Sequence, residues 1–522
     1  VEPFVQSKEF KMPKKSSQTI KSTSDVIQTS LEQFKGDALA IGVFKDTKKV
    51  PASYSRLDSA SAGAISRVLA SGDFTGEANQ VTTLYISDKL KFSRLILVGL
   101  GEENKADHNT FRLAAGTAAR AAAKLKINNP GLALHAVLSD KKNLESLAQA
   151  MIEGAIYGCY NFQEYLTEQP ARSGIQFTLI ALEKADVASM KKGCFVGTAI
   201  ADAQNYARAL SNKPGNVINP QTFAKEAQRL AGEIKVKCTI FDDKKLAAKK
   251  MNAILAVGSG SATKPRLVIL EYNGCRGSKK SSRPDAIIVG KGVTYDTGGL
   301  DIKPITGMLT MNHDKEGACE MLAVMMALSR LKLPLHVIGL APLVENMLSG
   351  TSYRPNDIIR TYSGKTVEIT STDAEGRVIL SDALTFGSEM KPKAMIDIAT
   401  LTGGVVVALG AEYAGLFGNN DDLMQKVNVA AKKAGEPLWI LPSGPGYLEL
   451  MKSKVADLKN TGGRPGAPCT GAAFLKAFVT DDVPWVHLDI AAMDCAEEEK
   501  PWRGLGGTAF GVRIVMEYLL SL

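Results

Sequence analysis

Ala286-Ile287-Ile288-Val289-Gly290-Lys291-Gly292-Val293-Thr294-Tyr295-Asp296-Thr297-Gly298-Gly299 is the stretch from which the rest of this 522-residue chain is read. Its apolar opening reads as a buried strand, and residues 291–299 read as a glycine-rich loop leaving that strand. Lys291 and Asp296 therefore sit just past the end of a core strand. Further on come Lys303, then Asp314 ahead of a helix-like run at 318–331, then Asp373, Glu375 and Arg377 after a strand-like run at 366–370. In open α/β sheets, ligands bind beyond the carboxyl ends of the strands.

Four carboxylates gathered in one site would repel one another and raise their pKa values unless cations sat among them. Two divalent ions would cancel that charge. Asp373 and Glu375 are two apart, so an extended segment would turn both to one face, with Arg377 continuing along it. Paired metals about 3.5–4 Å apart clamp the attacking water and the substrate oxygen in hydrolysis. The plain alternative is structural, because aspartate is common in turns and helix caps, and Asp296 and Asp314 suit both roles.

Other chemistries are weaker. The five histidines contain no His-Glu-x-x-His pair, so a helix-borne zinc protease site is excluded. His336 lies in an apolar run and reads as a core residue, while His313 precedes Asp314 and could line a site. Asp296-Thr297-Gly298 is the tripeptide of aspartic proteases, but the second copy that shares the proton is missing. Ser363-Gly364-Lys365-Thr366 lacks the earlier glycine of a phosphate loop and reads as a turn into a strand. Gly99-Leu100-Gly101 is followed by Asn104 where a dinucleotide fingerprint needs glycine, so it reads as a tight turn. No Gly-x-Ser-x-Gly elbow occurs.

Length and an apolar content of 45% indicate two domains with sizeable cores. The longest apolar run, 398–411, stops at Glu412, short of the ~18 residues that span a bilayer. The net charge of +9 is spread over small lysine patches, which reads as solvated surface rather than a nucleic-acid face. Seven cysteines without a Cys-x-x-Cys fit a reducing compartment and argue against a disulfide framework. Residues 1–24, rich in Lys and Ser, read as a disordered tail, and Glu2 and Glu9 argue against a mitochondrial transit segment.

Residues from about 38 to 181 alternate apolar and helix-like runs (38–44, 57–69, 81–86, 95–100, 111–125, 132–138 and 177–182), the pattern of an α/β domain, taken as residues 25–192. An amphipathic helix from Gly193 to Asn212 ends in the breakers Lys213-Pro214-Gly215-Asn216, so residues 193–216 read as the link between domains. In residues 217–522, strands are expected at 238–241, 253–257, 267–271, 286–289, 336–341, 366–370 and 395–398, with helices between them. The basic loop 276–283 reads as a surface excursion.

At the residues singled out first, the chain resembles the leucyl aminopeptidase family of two-metal, hexameric exopeptidases. The family signature Asn-Thr-Asp-Ala-Glu-Gly-Arg-Leu reads here Ser371-Thr372-Asp373-Ala374-Glu375-Gly376-Arg377-Val378. Its Gly-Lys-Gly-Val-Thr-Phe-Asp-Ser-Gly-Gly reads Gly290 to Gly299 with Tyr295 and Thr297 substituted. The likeness extends through Leu343 to Met347, Asp397 to Gly404 and Lys454 to Leu475, and the Asn212-to-Asn216 segment matches the family's interdomain link.

The resemblance implies a smaller amino-terminal α/β domain and a larger catalytic α/β domain with a mixed central sheet flanked by helices. It implies that Lys291, Asp296, Asp314 and Glu375 hold one divalent metal, and Asp296, Asp373 and Glu375 the other. The ions expected are Zn²⁺ or Mn²⁺, with Co²⁺ or Mg²⁺ as substitutes. Lys291 can bind metal only as the neutral amine, which adjacent cations must enforce. Lys303 would stabilise the oxyanion, and Arg377 would anchor a bicarbonate acting as general base. Met311, Thr400 and Gly403 would line the pocket for a leucine-like first side chain. The implied activity is removal of the amino-terminal residue from peptides by a two-metal-activated water, in a cytoplasmic homohexamer with no membrane or nucleic-acid partner.

A two-metal dipeptidase or amidase would instead turn over amino-blocked substrates, and a vestigial scaffold that binds nucleic acid would do so without hydrolysis. Two departures from the family pattern bear on metal preference and loop shape: Lys315-Glu316 after Asp314, and Asn356 where glycine is frequent.

Overall fold

The computed structural model describes residues 22–86, 89–140, 143–168, 174–275 and 283–522. Two α/β units follow one another along the chain. The first is built on a six-stranded sheet in the order Thr23–Gln28, Gln176–Ala181, Pro130–Ala133, Ala38–Val43, Arg94–Gly99, Val81–Tyr85. Every neighbouring pair is parallel except the last, where Val81–Tyr85 runs antiparallel along the edge.

The strand Ala38–Val43 shows why the sequence pattern is continuous rather than alternating. Ala38 and Ala40 face a layer of three long helices, while Leu39 and Ile41 face the short helices Ser55–Ala60 and Ala64–Ser71, so both faces are dry.

The three long helices are His108–Lys124, Leu144–Gly158 and Val187–Ser211. Glycines bring their backbones together. A Cβ on Gly154 would lie 1.8 Å from the Arg112 carbonyl oxygen, one on Gly158 2.8 Å from that of Gly116, and one on Gly193 1.9 Å from that of Glu145. Gly154 and Gly158, like Gly193 and Gly197, are four apart and share one helix face.

The second unit holds a nine-stranded mixed sheet in the order Leu438–Ile440, Ala414–Gly418, Trp485–Asp489, Met395–Ala399, Ala286–Gly290, His336–Asn346, Arg266–Asn273, Lys237–Phe241. Its four central strands, Trp485–Asp489 through His336–Asn346, are parallel. A ninth strand, Gly292–Asp296, pairs in parallel with the far half of His336–Asn346. Helices Glu316–Leu331, Pro220–Ile234 and Val512–Leu520 cover one face, Glu375–Ser388 and Asn252–Val257 the other. The helix Val187–Ser211 joins the units: Met190 and Cys194 pack in the first core, Ile200, Ala203 and Ala207 in the second.

Several sequence expectations change. Residues 291–299 are not one loop, because Gly292–Asp296 is a strand and only the turn through Gly298 and Gly299, at φ +85 and +67, is irregular. Residues 253–257 form the helix Asn252–Val257 rather than a strand. A short apolar run does not declare its period. Here the buried Asp382 carboxylate decides it, accepting from the backbone N–H of Ala253 and Ile254 at 3.0 and 3.2 Å.

The 57–69 run is split where Ala62 and Gly63 turn to positive φ. The span read as a tail overlaps the first strand, which begins at Thr23, and residues 1–21 lie outside the described residues, as do 276–282 of the basic loop. The joining helix starts at Val187, six residues before Gly193. Asn356 sits at φ +73, a conformation glycine adopts without strain and asparagine tolerates. None of the seven cysteines is in a disulfide, and no helix among the described residues is long and apolar enough to cross a membrane.

The glycine contacts yield a paired test. Gly154→Ala should lower stability by about 1–3 kcal/mol through overpacking. Gly232→Ala, at an exposed position of the helix Pro220–Ile234 with nothing within 4 Å of the added carbon, should raise it by about 0.5–1 kcal/mol. Denaturant midpoints at unchanged m-value measure both.

Candidate metal centre

The parallel strands of the second sheet deliver chemistry at their carboxyl ends. Ala286–Gly290 ends beside Lys291, Gly292–Asp296 in Asp296, His336–Asn346 in Asn346 and Met395–Ala399 beside Thr400. Asp314 follows the 3-10 turn Met311–His313, and Glu375 opens the helix Glu375–Ser388. Oxygens of Asp296, Asp314 and Glu375 lie within 4.8 Å of one another, and all three residues are buried. Among the described residues, no other three His, Cys, Asp or Glu side chains bring ligand atoms this close.

Two ammonium groups are interleaved with these acids. Lys291 Nζ donates to Asp314 Oδ1 and the Thr400 carbonyl, both at 2.7 Å, and lies 3.0 Å from Glu375 Oε1. Lys303 Nζ lies 2.9 Å from Asp296 Oδ2 and 2.5 Å from Asp373 Oδ1. Room for Lys291 is made by the glycine of the Asp-Ala-Glu-Gly-Arg run, since a Cβ on Gly376 would lie 2.5 Å from Lys291 Cε.

Asp373 stands apart from the buried three. Its side chain is 39% exposed and reaches them through Lys303. Asp373 and Glu375 do not share a face of an extended segment, because Asp373 is in a turn and Glu375 begins a helix. The turn is held by Asn460, whose Oδ1 accepts from the backbone N–H of Thr370 and Ser371 and whose Nδ2 donates to the Ser371 and Ala374 carbonyls.

Asp296 does serve its turn, since its Oδ1 accepts from the Gly298 N–H at 2.8 Å, but the helix after Asp314 has no side-chain cap. His313 is buried against Ser211 Oγ at 2.9 Å and touches none of the acids at the centre. His336, expected in the core, is buried beside Glu271, 3.2 Å from its carboxylate.

Burial dominates the electrostatics. It raises Asp296, and with neighbouring carboxylates it pushes Asp314 up to about 8 and Asp373 up to about 6, against the pull of Lys291 and Lys303. Burial also pushes Glu375 up, but Lys291 and Lys303 outweigh it and draw Glu375 below its ordinary value. Burial alone would lower both lysines, yet the surrounding carboxylates hold them above the usual lysine range. In the protein by itself Lys291 is thus an ammonium, and only added positive charge beside it would favour the neutral amine.

The donor set fits divalent cations. Asp314 Oδ2 and Glu375 Oε2 are buried and accept no hydrogen bond, a costly state for a carboxylate that a cation would relieve. Arg377, in the first turn of its helix, donates to the Asn460 carbonyl at 3.1 Å, and its buried Nε has no partner. Thr400, expected in the pocket for the first side chain, donates from its Oγ1 to Asp314 Oδ1 at 2.8 Å. Met311 is half-buried and Gly403 is exposed, with nothing within 4 Å of the position a Cβ would take.

Two positioning residues were not singled out from sequence. Asn346 donates to Asp296 Oδ1 at 2.8 Å and to the Thr372 carbonyl at 3.0 Å, and Asn460 organises the Asp373 turn. Both lie in stretches already noted for their likeness to the family, and an asparagine at the end of an apolar strand was the available signal.

Comparison with known proteins agrees with this geometry. The profile described as "Cytosol aminopeptidase family, catalytic domain" matches residues 205–516, and that of the family's N-terminal domain matches residues 40–169. The chain is 41% identical to a "Probable cytosol aminopeptidase" of Geotalea uraniireducens (strain Rf4) over 470 residues, 89% of this chain and 93% of that protein. It is 39% identical to a protein of the same name from Aquifex aeolicus (strain VF5), covering 94% and 97% of the two chains.

Among solved structures, a tomato leucine aminopeptidase mutant superposes with a TM-score of 0.86 at 30% identity, covering 97% of this chain and 98% of that one. The bottromycin maturation enzyme BotP in complex with Mn superposes with a TM-score of 0.81 at 34% identity, over 93% and 99%. The buried acid cluster, the two matching domain profiles and this near full-length likeness converge: the chain belongs to the cytosol aminopeptidase family and is a metal-dependent aminopeptidase of the leucyl aminopeptidase type.

Proposed function

We propose that the protein removes leucine-like residues from the free amino termini of peptides using two divalent ions. The observation that carries this reading is the convergence of Asp296, Asp314 and Glu375 within 4.8 Å, buried and short of donors. Lys291, Asp296, Asp314 and Glu375 would hold one ion, and Asp296, Glu375 and Asp373 the other. Bound there, such a pair supplies Lewis acidity to a water and to the scissile carbonyl. Zn²⁺ or Mn²⁺ is the preferred occupant, with Co²⁺ or Mg²⁺ able to substitute.

The chain's own residues do the rest. Lys303, 17% exposed and at the solvent side of the acids, supplies positive charge where the carbonyl oxygen becomes negative. Arg377 keeps an unpartnered Nε for a planar anion and would hold a bicarbonate there, whose chemistry would be that of a general base. The Thr400 carbonyl and hydroxyl fix Lys291 and Asp314 in register. Met311, Thr400 and Gly403 would form the pocket for the first side chain, the missing Cβ of Gly403 leaving space for an aliphatic group. Such a pocket separates neighbouring aliphatics only weakly.

Residues 25–192 are taken as the amino-terminal domain, 193–216 as the link and 217–522 as the catalytic domain, a division supported by the spans of the two family profiles. The exposed Ile305, Leu309, Val407 and Trp439 support burial against further copies of the chain, in line with a homohexamer, and the working compartment is taken to be the cytoplasm.

Stripping with a chelator should abolish hydrolysis of leucine anilide, and readdition of Zn²⁺, Mn²⁺ or Co²⁺ should restore it. The N-acetylated anilide should remain untouched throughout; equal turnover of both would end the exopeptidase reading in favour of an amidase.

Asp373→Ala should cut turnover by more than about a hundredfold, since even outer partners of metal ligands cost about 10- to 100-fold. Its half-exposed side chain makes little contribution to folding, so the melting temperature of the metal-free variant should match that of the metal-free parent.

Metal affinity should climb with pH. Protons compete with cations for Asp373, pushed up to about 6, and Asp314, pushed up to about 8, so binding strengthens as pH rises through that window. Titration calorimetry with Mn²⁺ in buffers of different ionisation enthalpy should show proton release that falls above pH 8 to the share left by Lys291, whose ammonium must also lose its proton to bind metal; affinity independent of pH would contradict the ligand assignment.

A further inference from the structure

Next to Asp314 lies a lysine that the proposed reaction does not use. Lys315 is fully buried. Its Nζ donates to the Ser211 carbonyl at 2.8 Å, to the Lys213 carbonyl at 2.9 Å, and to the carbonyl of Asn312. All three acceptors are neutral backbone oxygens, an unusual destination for a buried charge.

The acceptors come from two separate segments. Ser211 is the last residue of the 25-residue helix that joins the domains, and Lys213 follows its end. Asn312 sits in the 3-10 turn Met311–His313, immediately before Asp314. Helix-terminal carbonyls have no partners within their helix and carry the negative end of its dipole, so a cation is favoured there.

The same two segments are cross-linked around it: Asn312 Nδ2 donates to the Ser211 carbonyl at 3.2 Å, and Ser211 Oγ meets His313 Nδ1 at 2.9 Å. Converging backbone carbonyls are also how proteins replace the hydration shell of a monovalent ion.

We infer that Lys315 is a positioning residue that acts as a tethered monovalent cation, closing a carbonyl cage that locks the Asp314 turn to the end of the interdomain helix. The inference rests on the proposed role of Asp314 as a metal ligand. Without the side chain, the same oxygens form a site for K⁺ or NH₄⁺, and the protein becomes dependent on an ion it does not otherwise need.

The test compares the parent with Lys315→Ala, both loaded with Mn²⁺, in tetramethylammonium, potassium and ammonium chloride at equal ionic strength. Thermal midpoint and the separate kcat and KM for leucine anilide are read. In tetramethylammonium, Lys315→Ala should melt lower and lose kcat by about tenfold or more, as expected when a catalytic group shifts, with KM little changed. K⁺ and NH₄⁺ should restore both readouts saturably, because a ligand of the folded state stabilises it, while the parent responds to neither.

A folded Lys315→Ala that ignores K⁺ and NH₄⁺, or one that matches the parent in tetramethylammonium, overturns the inference. A midpoint that follows K⁺ while kcat does not overturns the positioning role. If Lys315→Ala fails to fold in every salt, Lys315→Met decides: it keeps the stem and fills the cage, so a loss of kcat indifferent to K⁺ supports the inference and parental kcat refutes it. Absence of metal-dependent turnover in the parent would instead sink the proposed function and leave the midpoint arm to judge the cage.

Discussion

The structure depends on keeping negative charge concentrated where water cannot dilute it. Two like charges 4 Å apart repel by about 4 kcal/mol even at an effective dielectric constant of 20. Oxygens of Asp296, Asp314 and Glu375 lie within 4.8 Å of one another, and all three residues are buried. Lys291 and Lys303 offset part of the repulsion, and the strand, the 3-10 turn and the helix that carry the three acids hold them in place against the remainder. A site of this kind is poised for cations because its own lysines do not satisfy every oxygen.

Holding such a cluster requires backbone that comes close without side chains in the way. Gly376 leaves the volume occupied by the Lys291 stem, and a Cβ on Gly317 would lie 2.1 Å from the Ile398 carbonyl oxygen, so the helix after Asp314 rests directly on the strand that leads to Thr400. The asparagines perform the complementary task. Asn346 and Asn460 carry no charge into the site, yet each ties two chain segments to it through short hydrogen bonds. The acids therefore need no flexible search to meet, and the arrangement is preorganised for a ligand.

Much of this was legible from residues alone, and the reasons differ by element. The strand Ala286–Gly290 could be read because both its faces are dry, which removes ambiguity from its pattern. The acids and lysines could be read because they stand beside such strands. The helix Asn252–Val257 could not, because what starts it is Asp382, more than a hundred residues away. The strand Gly292–Asp296 was hidden by Gly292, which serves close approach to the neighbouring strand, a Cβ there lying 2.7 Å from the Pro342 carbonyl oxygen, and not a turn. The departure of Glu375 into a helix was hidden for the same kind of reason, since its turn is organised by Asn460 from a distant segment. Asn356, by contrast, fits a local rule, because a positive φ tolerates asparagine.

The helix Val187–Ser211 serves both cores with one continuous rod: Met190 and Cys194 belong to one interior, Ile200 and Ala207 to the other. Melting either interior would expose one stretch of that rod and loosen the footing of the other. The two lobes are consequently coupled through one rod, so a disturbance of the smaller lobe's interior reaches the interior that backs the buried acids.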